Sequence, residues 1–357
     1  MKVYIKFLIY LFVKSLLFVF SVMFSLVFIL NLLTELDFFK QIEVETYFPL
    51  FLSLLNAPDL IFEIFPFIFL ITTQLFFIKL FENKEIEIFK YSGLKNSKII
   101  KILSITSFLA GIIIIFLFYN FSSSLKNLYL ELKSNYTNDG KYLAVITKNG
   151  LWIKDKINNK ILIINSLQVK QNFLINNFIT EFDEKFNVVR NIQSEKIDAS
   201  NKLWLIYNAK IYNENNYSKQ SLLRLNTNFD YKRIQTLYSN LSSLNIFQLL
   251  ELKKNYQRLN YSVTEINLQL LKLIFYPLYL LLITVFSALI MLNIKQIDST
   301  TYKISIGLFF SVIIYYLNNF SHVLGSTERI SLISATITPL IILTIINGFM
   351  IYKINDK

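Results

Sequence analysis

Side chains that could perform catalytic or redox chemistry are scarce in this sequence. The chain of 357 residues has no cysteine and a single histidine, His322, near the end of an apolar run without a cluster of carboxylates beside it. A metal site or a Ser-His-Asp arrangement needs several such groups together, and a lone histidine of this kind is ordinarily a packing or interface residue. The sequence therefore predicts no metal, no cofactor and no hydrolytic centre.

Three charged residues lie inside apolar segments, where a buried charge is costly and often functional. Lys14, Glu63 and Lys272 are each close to the end of their segment, so their side chains can extend to the membrane interface. They do not form the relay of acidic groups that a proton-driven transporter needs. No G-x-x-x-x-G-K-[ST] loop occurs among the seven glycines, so the chain is not expected to bind ATP itself.

The segment between residues 81 and 101 has the pattern of a short amphipathic helix. Charged side chains alternate there with Ile86, Ile88 and Phe89, and Gly93 stands where a glycine commonly ends a helix. Such a helix can dock a soluble partner at the cytosolic face of a membrane protein, or it can lie on lipid. Composition alone favours neither alternative.

Six segments are long and apolar enough to cross a bilayer, which takes about 20 residues. Hydrophobic residues make up 54% of the chain, more than a soluble core needs. The predicted spans are 7–33, 60–80, 102–121, 266–294, 304–323 and 330–352. The fifth is the weakest candidate because Asn318, Asn319 and His322 follow its apolar run.

The distribution of lysines predicts which side of the membrane each loop faces. With six spans, nearly all basic residues of the short loops fall on one side, and the short loops of the other side carry only Lys40 and Arg329. Basic residues favour the cytosolic side, so both termini are expected there and residues 122–262 on the opposite side. The chain thus divides into 1–121 with three helices, an inserted domain at 122–262, and 263–357 with three more helices.

Residues 122–262 are expected to form an antiparallel β domain, either a sandwich or a jelly roll. Short alternating segments bounded by polar turns are typical of that class. The predicted strands are 142–147, 151–154, 160–167, 186–192, 202–212 and 221–225. Trp152 and Trp204 are expected in the interior of the domain, and a polar helix over 243–260 is expected to lead back to the membrane.

The positive charge of the chain is weak evidence for a nucleic-acid partner. The net charge is +12, and residues 122–262 alone hold 20 Lys/Arg against 11 Asp/Glu. Neither an Arg-rich stripe nor a recognised nucleic-acid-binding motif is present, so no such partner is predicted. A basic surface that faces an anionic membrane or a glycolipid fits this charge better.

Several short motifs are distributed along the whole chain. They are Ala57-Pro58-Asp59, Phe65-Pro66-Phe67, the stretch from Glu85 to Gly93, Gly150-Leu-Trp-Ile-Lys-Asp155, Lys202-Leu-Trp204 and Tyr276-Pro277-Leu278. Their type, order and spacing resemble the permease subunits of the lipopolysaccharide export system, LptF and LptG. The motif that begins at Gly150 and the Pro-Leu pair of the fourth helix are more similar to LptG than to LptF.

The resemblance implies a polytopic α-helical membrane protein with six transmembrane helices in a 3+3 arrangement and an inserted periplasmic antiparallel β domain, jelly-roll-like. It implies a permease subunit of an ABC-type exporter in the cell inner membrane, which extracts lipopolysaccharide for transport to the outer membrane. The implied partners are a second, LptF-like permease, a cytosolic LptB-like ATPase dimer, a periplasmic LptC-like β-jelly-roll bridge protein and lipopolysaccharide itself. A separate subunit would hydrolyse ATP, so this chain would not be an enzyme.

The resemblance also implies two sets of site residues. A cytosolic helix within residues 82–98 would couple the chain to the ATPase, with apolar side chains in a groove of the ATPase and Glu85 paired with a basic residue. The coupling residues would be Glu85, Ile88, Phe89, Ser92 and Gly93. A cavity for acyl chains would be lined by Phe24, Phe28, Lys40, Phe67 and Phe310. The basic residues that the family has near the outer end of the first helix reduce here to Lys40.

Two other functions fit part of the pattern. A permease of another ABC-type lipid or lipoprotein exporter would share the lysine distribution and the amphipathic loop. A membrane-anchored scaffold or sensor would need helices only as an anchor. A sensor also needs a cytosolic output module, and the predicted cytosolic segments are too short for one, so transport is favoured.

Overall fold

The computed structural model describes residues 2–136, 151–157, 160–170, 172–213, 216–231, 241–258, 263–294 and 299–355. The chain divides into two compact units. One unit is formed by residues 1–126 together with 263–357, and the other by residues 127–262. The first unit is helical, whereas the second contains a β-sheet.

Six helices of the described chain are long and apolar enough to span a membrane, which confirms the predicted 3+3 arrangement. The spans, numbered in chain order, are Val3–Gln41, Tyr47–Glu82, Asn96–Lys133, Thr264–Asn293, Thr300–Ser326 and Leu332–Tyr352. Because successive spans run in opposite directions, both termini and the link between the second and third spans share one side of the bundle, here called the terminal side. The opposite side, where residues 127–262 are inserted, is called the domain side.

Three details distinguish these helices from the predicted apolar runs. The first span ends in a 3-10 turn at Phe39–Gln41, and the sixth helix continues to Asn355. The third span contains a π-helical turn at Ile114–Tyr119. A separate short helix, Glu85–Tyr91, lies between the second and third spans and is called the transverse helix.

The second and fourth spans form the centre of the bundle. Of the most apolar 18 residues of each, 67% and 72% are buried within the protein, against 11% in the first span and 22% in the fifth. The third and fourth spans approach each other closely, because a Cβ at Gly111 would lie 2.8 Å from the Cα of Pro277. Small residues commonly permit such an approach between membrane helices.

Polar side chains join the central spans through backbone carbonyls. The hydroxyl of Tyr276 donates to the carbonyl oxygen of Phe62 at 2.8 Å, and the hydroxyl of Ser287 donates to that of Leu70 at 2.9 Å. Both bonds connect the fourth span to the second. Since hydrocarbon offers no competing water, such bonds set the register of the two helices.

The second unit contains one antiparallel sheet in which each strand pairs with the next. The strands are β1 Leu151–Ile157, β2 Lys160–Lys170, β3 Phe173–Phe182, β4 Val188–Asp198, β5 Leu203–Asn213 and β6 Asn216–Asn226. Five of the predicted strands are confirmed, β3 was not predicted, and the predicted strand at 142–147 lies outside the described residues. The described strands form a meander, without the crossovers of a jelly roll among them.

The predicted polar helix is also confirmed. A 3-10 turn at Leu241–Ser243 precedes a helix at Ile246–Arg258. Asn245 and Gln248 cap its start reciprocally, since the Asn245 side chain accepts from the Gln248 backbone N–H and the Gln248 side chain accepts from that of Asn245, both at 2.9 Å.

The interior of the β domain is built from one face of the sheet. Ile164, Ile179, Ile192 and Ile211 lie directly opposite one another across β2 to β5 and are buried. Trp204 is fully buried beside this row and donates from Nε1 to the carbonyl oxygen of a residue after β6 at 2.8 Å. The prediction for Trp204 is therefore confirmed.

The prediction that Trp152 is interior is wrong. Its side chain is 50% exposed, whereas its neighbours Leu151 and Ile153 are buried. Successive side chains of a strand point to opposite faces, so burying both neighbours places Trp152 on the outer face.

Candidate functional site

The transverse helix has a well-defined C-terminus. Gly93 has φ +76, its N–H donates to the carbonyl oxygen of Lys90 at 3.0 Å, and the N–H of Leu94 donates to that of Phe89 at 2.8 Å. This pair of bonds is the Schellman motif, and Leu94, the residue that follows the glycine, is buried. Gly93 therefore ends the helix as the sequence predicts, although the helix occupies only Glu85–Tyr91 of the predicted segment.

The apolar side chains of the transverse helix point in different directions. Ile86 is 1% exposed, whereas Ile88 is 60% and Tyr91 is 91% exposed. Phe89 is half-buried, and its ring packs against that of Phe7 in the first span with 6.1 Å between centroids. The outward apolar pair is thus Ile88 with Tyr91, three residues apart on one face, rather than the adjacent Ile88 and Phe89.

Two further candidate residues have specific local contacts. The Ser92 hydroxyl donates to the carbonyl oxygen of Ile88 at 2.9 Å, which caps the last turn of the helix. Glu85 lies at the first position, where a carboxylate suits the helix dipole. Its Oε2 atom is enclosed and has no hydrogen-bond donor among the described residues.

The fifth span is attached to the second near the terminal side. The Gln74 side chain donates from Nε2 to the carbonyl oxygen of Lys303 at 2.8 Å. The ammonium group of Lys303 lies over the ring of Phe81, 4.9 Å from its centroid. Gly307 faces the same amide, because a Cβ built there would overlap Gln74. Three side chains therefore fix the position of a span that is otherwise little buried.

A chain of buried polar side chains joins the first three spans towards the domain side. Lys126 Nζ lies 3.4 Å from Asp59 Oδ2 and donates to Asn56 Oδ1 at 2.5 Å. The Asn56 amide donates to Asn31 Oδ1 at 2.9 Å, and the Asn31 amide donates to the carbonyl oxygen of Ser53 at 3.3 Å. All five residues are under one tenth exposed.

Sequence reasoning did not find this polar chain. Lys126 lies beyond the predicted end of the third span, and Asp59 entered only as part of a proline motif. The one available signal is that Asn31, Asn56 and Asp59 are polar residues in otherwise apolar helices, where they normally find partners.

The candidate cavity residues lie in separate parts of the bundle. Phe24 stacks on Phe20, which in turn stacks on Phe65 of the second span. Phe310 of the fifth span packs edge-on against Phe286 of the fourth, with 5.6 Å between centroids. Phe28 and Phe67 are half-buried on the first and second spans, and Lys40 is exposed in the turn after the first span. Their role as a cavity lining stays a prediction.

The three charged residues that the sequence analysis singled out inside apolar segments are not enclosed. Lys14 and Glu63 are exposed and Lys272 is half-buried, as expected for side chains that extend to an interface. His322 is exposed on the fifth span.

Comparison with models of protein families identifies a match. A family model described as "Lipopolysaccharide export system permease LptF/LptG" matches residues 6–353, which is nearly the whole chain. A search of curated proteins finds no match.

Proposed function

The chain belongs to the LptF/LptG family of lipopolysaccharide export system permeases, and from this membership we propose that it is the LptG-like permease subunit of an ABC-type lipopolysaccharide exporter. The family indicates a membrane permease of lipopolysaccharide export. The assignment to LptG is supported by the motif from Gly150 to Asp155 and by Tyr276-Pro277-Leu278. Extraction of lipopolysaccharide from the inner membrane would be its task.

The proposed orientation places the terminal side in the cytosol and residues 127–262 in the periplasm of a cell with an inner membrane. Short loops on the terminal side carry most of the lysines outside the β domain. Basic loops are retained in the cytosol during insertion, so this asymmetry supports the orientation.

The transverse helix is the proposed docking site for an LptB-like ATPase dimer. The observation that carries this proposal is the exposed pair Ile88 and Tyr91, presented on a helix that Gly93 ends sharply on the lysine-rich side. Exposed apolar side chains on a short rigid helix suit insertion into a groove of a partner. Glu85, half-buried at the first position of this helix, is proposed to pair with a basic residue of the partner.

A second, LptF-like permease is proposed to cover the first and fifth spans. These are the two least buried spans of the chain, at 11% and 22% of their most apolar windows. Two permeases that face each other through such helices would enclose a lipid-sized cavity, in which Phe24, Phe28, Lys40, Phe67 and Phe310 are the candidate contacts. A periplasmic LptC-like bridge protein is the proposed partner on the periplasmic side.

Co-purification tests the function. The tagged chain, co-expressed with a candidate second permease and a candidate ATPase of the same organism, should recover both proteins in mild detergent. Mass spectrometry of the complex should identify an acylated, phosphorylated glycolipid. Recovery of a lipoprotein instead would assign the chain to another ABC-type exporter, and recovery without any ATPase would support a scaffold.

Substitution of the outward pair tests the docking site. Ile88→Ala with Tyr91→Ala should cost about 2 kcal/mol of binding free energy or more, as for central interface residues, and deplete the ATPase from the complex. Val3→Ala is the matched control, because Val3 is 87% exposed on the terminal side but lies outside the transverse helix. Full ATPase recovery with the double variant would show that the ATPase docks elsewhere.

A further inference from the structure

The first span is contacted on the terminal side by the transverse helix and by the start of the third span. The rings of Phe89 and Phe7 pack with 6.1 Å between centroids and 56° between planes. Beyond the turn at Gly93, the ammonium group of Lys98 lies 5.6 Å from the centroid of the Tyr4 ring. Tyr4 and Phe7 are three residues apart and share one face of the first span, so that face is contacted from both sides of the turn.

The first span is held to the rest of the chain along a narrow stripe. Its buried residues are Leu8, Phe12, Ser15, Val19, Asn31 and Glu35. Only 11% of its most apolar window is buried, compared with 67% in the second span. Most of that apolar window therefore faces away from the rest of the described chain, while the buried stripe packs on the neighbouring spans.

The two faces of the transverse helix are directed at different neighbours. Ile88 and Tyr91 point outward, where the ATPase is proposed to dock, whereas Phe89 points at the first span. Phe89 is therefore a side chain through which a push on the helix can reach the first span.

We propose that Phe7 and Phe89 form a positioning pair that passes displacement of the transverse helix to the first span. The inference rests on the proposed function, in which an ATPase moves the transverse helix during its cycle. Packed rings resist compression, so the contact moves the two elements together. Phe89 then acts in coupling through Phe7 and not as the apolar anchor of the ATPase.

Variants of Phe7 test the pair without touching the proposed ATPase contact. In the assembled complex, Phe7→Ala should leave ATPase recovery and lipid-free hydrolysis unchanged but lower lipid-stimulated hydrolysis and lipid release by about fivefold or more, the lower end of typical coupling between sites. Phe18→Ala is the matched control, since Phe18 is a phenylalanine of the same span that is 59% exposed. Normal stimulation with Phe7→Ala would overturn the inference.

A more conservative variant keeps the test valid if the Phe7→Ala complex assembles poorly. Phe7→Leu keeps apolar volume but loses the ring, and it should give a partial loss of lipid-stimulated hydrolysis. Wild-type stimulation with Phe7→Leu would count against the ring contact. If the wild-type chain recovers no ATPase at all, the failure belongs to the proposed function and not to this pair.

Cross-linking gives a second, independent measurement. The chain has no cysteine, so Phe7→Cys with Phe89→Cys introduces the only thiols of this subunit. A short bifunctional thiol reagent should join them with equal yield without nucleotide, with ADP and with a non-hydrolysable ATP analogue, because the pair moves as one. A yield that falls when nucleotide binds would show that the contact separates during the cycle and would refute the proposal.

Discussion

Glu181 of β3 lies between basic side chains of the two neighbouring strands. Its carboxylate accepts from Lys160 Nζ and from Arg190 Nε, each at 2.6 Å, and its own side chain is 3% exposed. Burial by itself raises the pKa of Glu181, but the hydrogen bonds and charges of Lys160 and Arg190 outweigh burial and hold the pKa below its usual range.

This depressed pKa predicts a pH-dependent contribution to stability. A group with a lower pKa in the folded state stabilises the fold above its unfolded pKa, about 4.3 for glutamate, and loses that contribution as the pH falls through the folded value. At pH 7, Glu181→Gln should lower the free energy of unfolding by about 1 to 2 kcal/mol, because the partly exposed cations are screened by solvent. The difference from wild type should shrink below pH 4.

Tryptophan fluorescence can measure this effect in the full-length protein. Both tryptophans, Trp152 and Trp204, lie in the β domain, so thermal unfolding followed by their emission reports on that domain. Glu195→Gln is the control, because Glu195 is exposed on the adjacent strand β4. A Glu181→Gln protein as stable as the control at pH 7 would mean that the ion pairs contribute nothing.

At the scale of elements, the end of the transverse helix depends on one backbone conformation. A Cβ at Gly93 would meet nothing within 4 Å, so the only obstacle to a side chain is the positive φ of +76. Gly93→Ala should therefore cost about 1 kcal/mol and fray the helix, whereas Gly93→Asn should cost less because asparagine tolerates this conformation. Trypsin should cleave after Lys90 faster in the alanine variant than in the asparagine variant, and equal rates would contradict the capping role.

At Gly307, between the second and fifth spans, the obstacle to a side chain is lack of space and not the backbone conformation. A methyl group at Gly307 would overlap the Gln74 amide, so Gly307→Ala must displace Gln74 from the Lys303 carbonyl. We expect a loss of about 1 to 3 kcal/mol, the usual cost of overpacking. Adding Gln74→Ala should recover part of it by making room.

Heating in detergent followed by size-exclusion chromatography would measure the thermal stability of Gly307→Ala and of a control variant. Gly348→Ala is the matched control, since a Cβ there meets nothing within 4 Å and Gly348 lies in the sixth span. It should be neutral or slightly stabilising, by up to about 1 kcal/mol. Equal melting of Gly307→Ala and Gly348→Ala would argue against close packing at Gly307.

At the scale of the whole molecule, the proposed orientation predicts which positions are accessible from the periplasm. Because the chain lacks cysteine, single introduced thiols report without background. Glu195→Cys in the β domain should react with a membrane-impermeant reagent in spheroplasts, and Tyr91→Cys, 91% exposed on the terminal side, should react only after lysis. Labelling of Tyr91→Cys in intact spheroplasts would reverse the orientation.

Features that depend on local chemistry were predictable from the sequence. The six spans follow from runs of apolar residues, and Gly93 follows from the conformation that a helix end needs. The strand β3 was missed because Asn176 and Asn177 interrupt its apolar residues, although Asn177 is buried and donates to the backbone of β3 and β4. A polar residue whose amide donates to the backbone inside a sheet has no signature in the linear pattern.

The sequence by itself therefore determined the number of spans and the family resemblance from end to end, and its lysines predict an orientation that stays a prediction. Only the tertiary structure decided which faces of those spans pack. A helix in hydrocarbon is apolar on every side, so the spacing of apolar residues in its sequence does not distinguish a buried face from one exposed to lipid. Three contacts join residues that are far apart in the chain: Phe89 with Phe7, Lys126 with Asp59, and Gln74 with the Lys303 carbonyl. In each case the packing of two helices decides which residues meet, and the sequence of either helix alone does not show it.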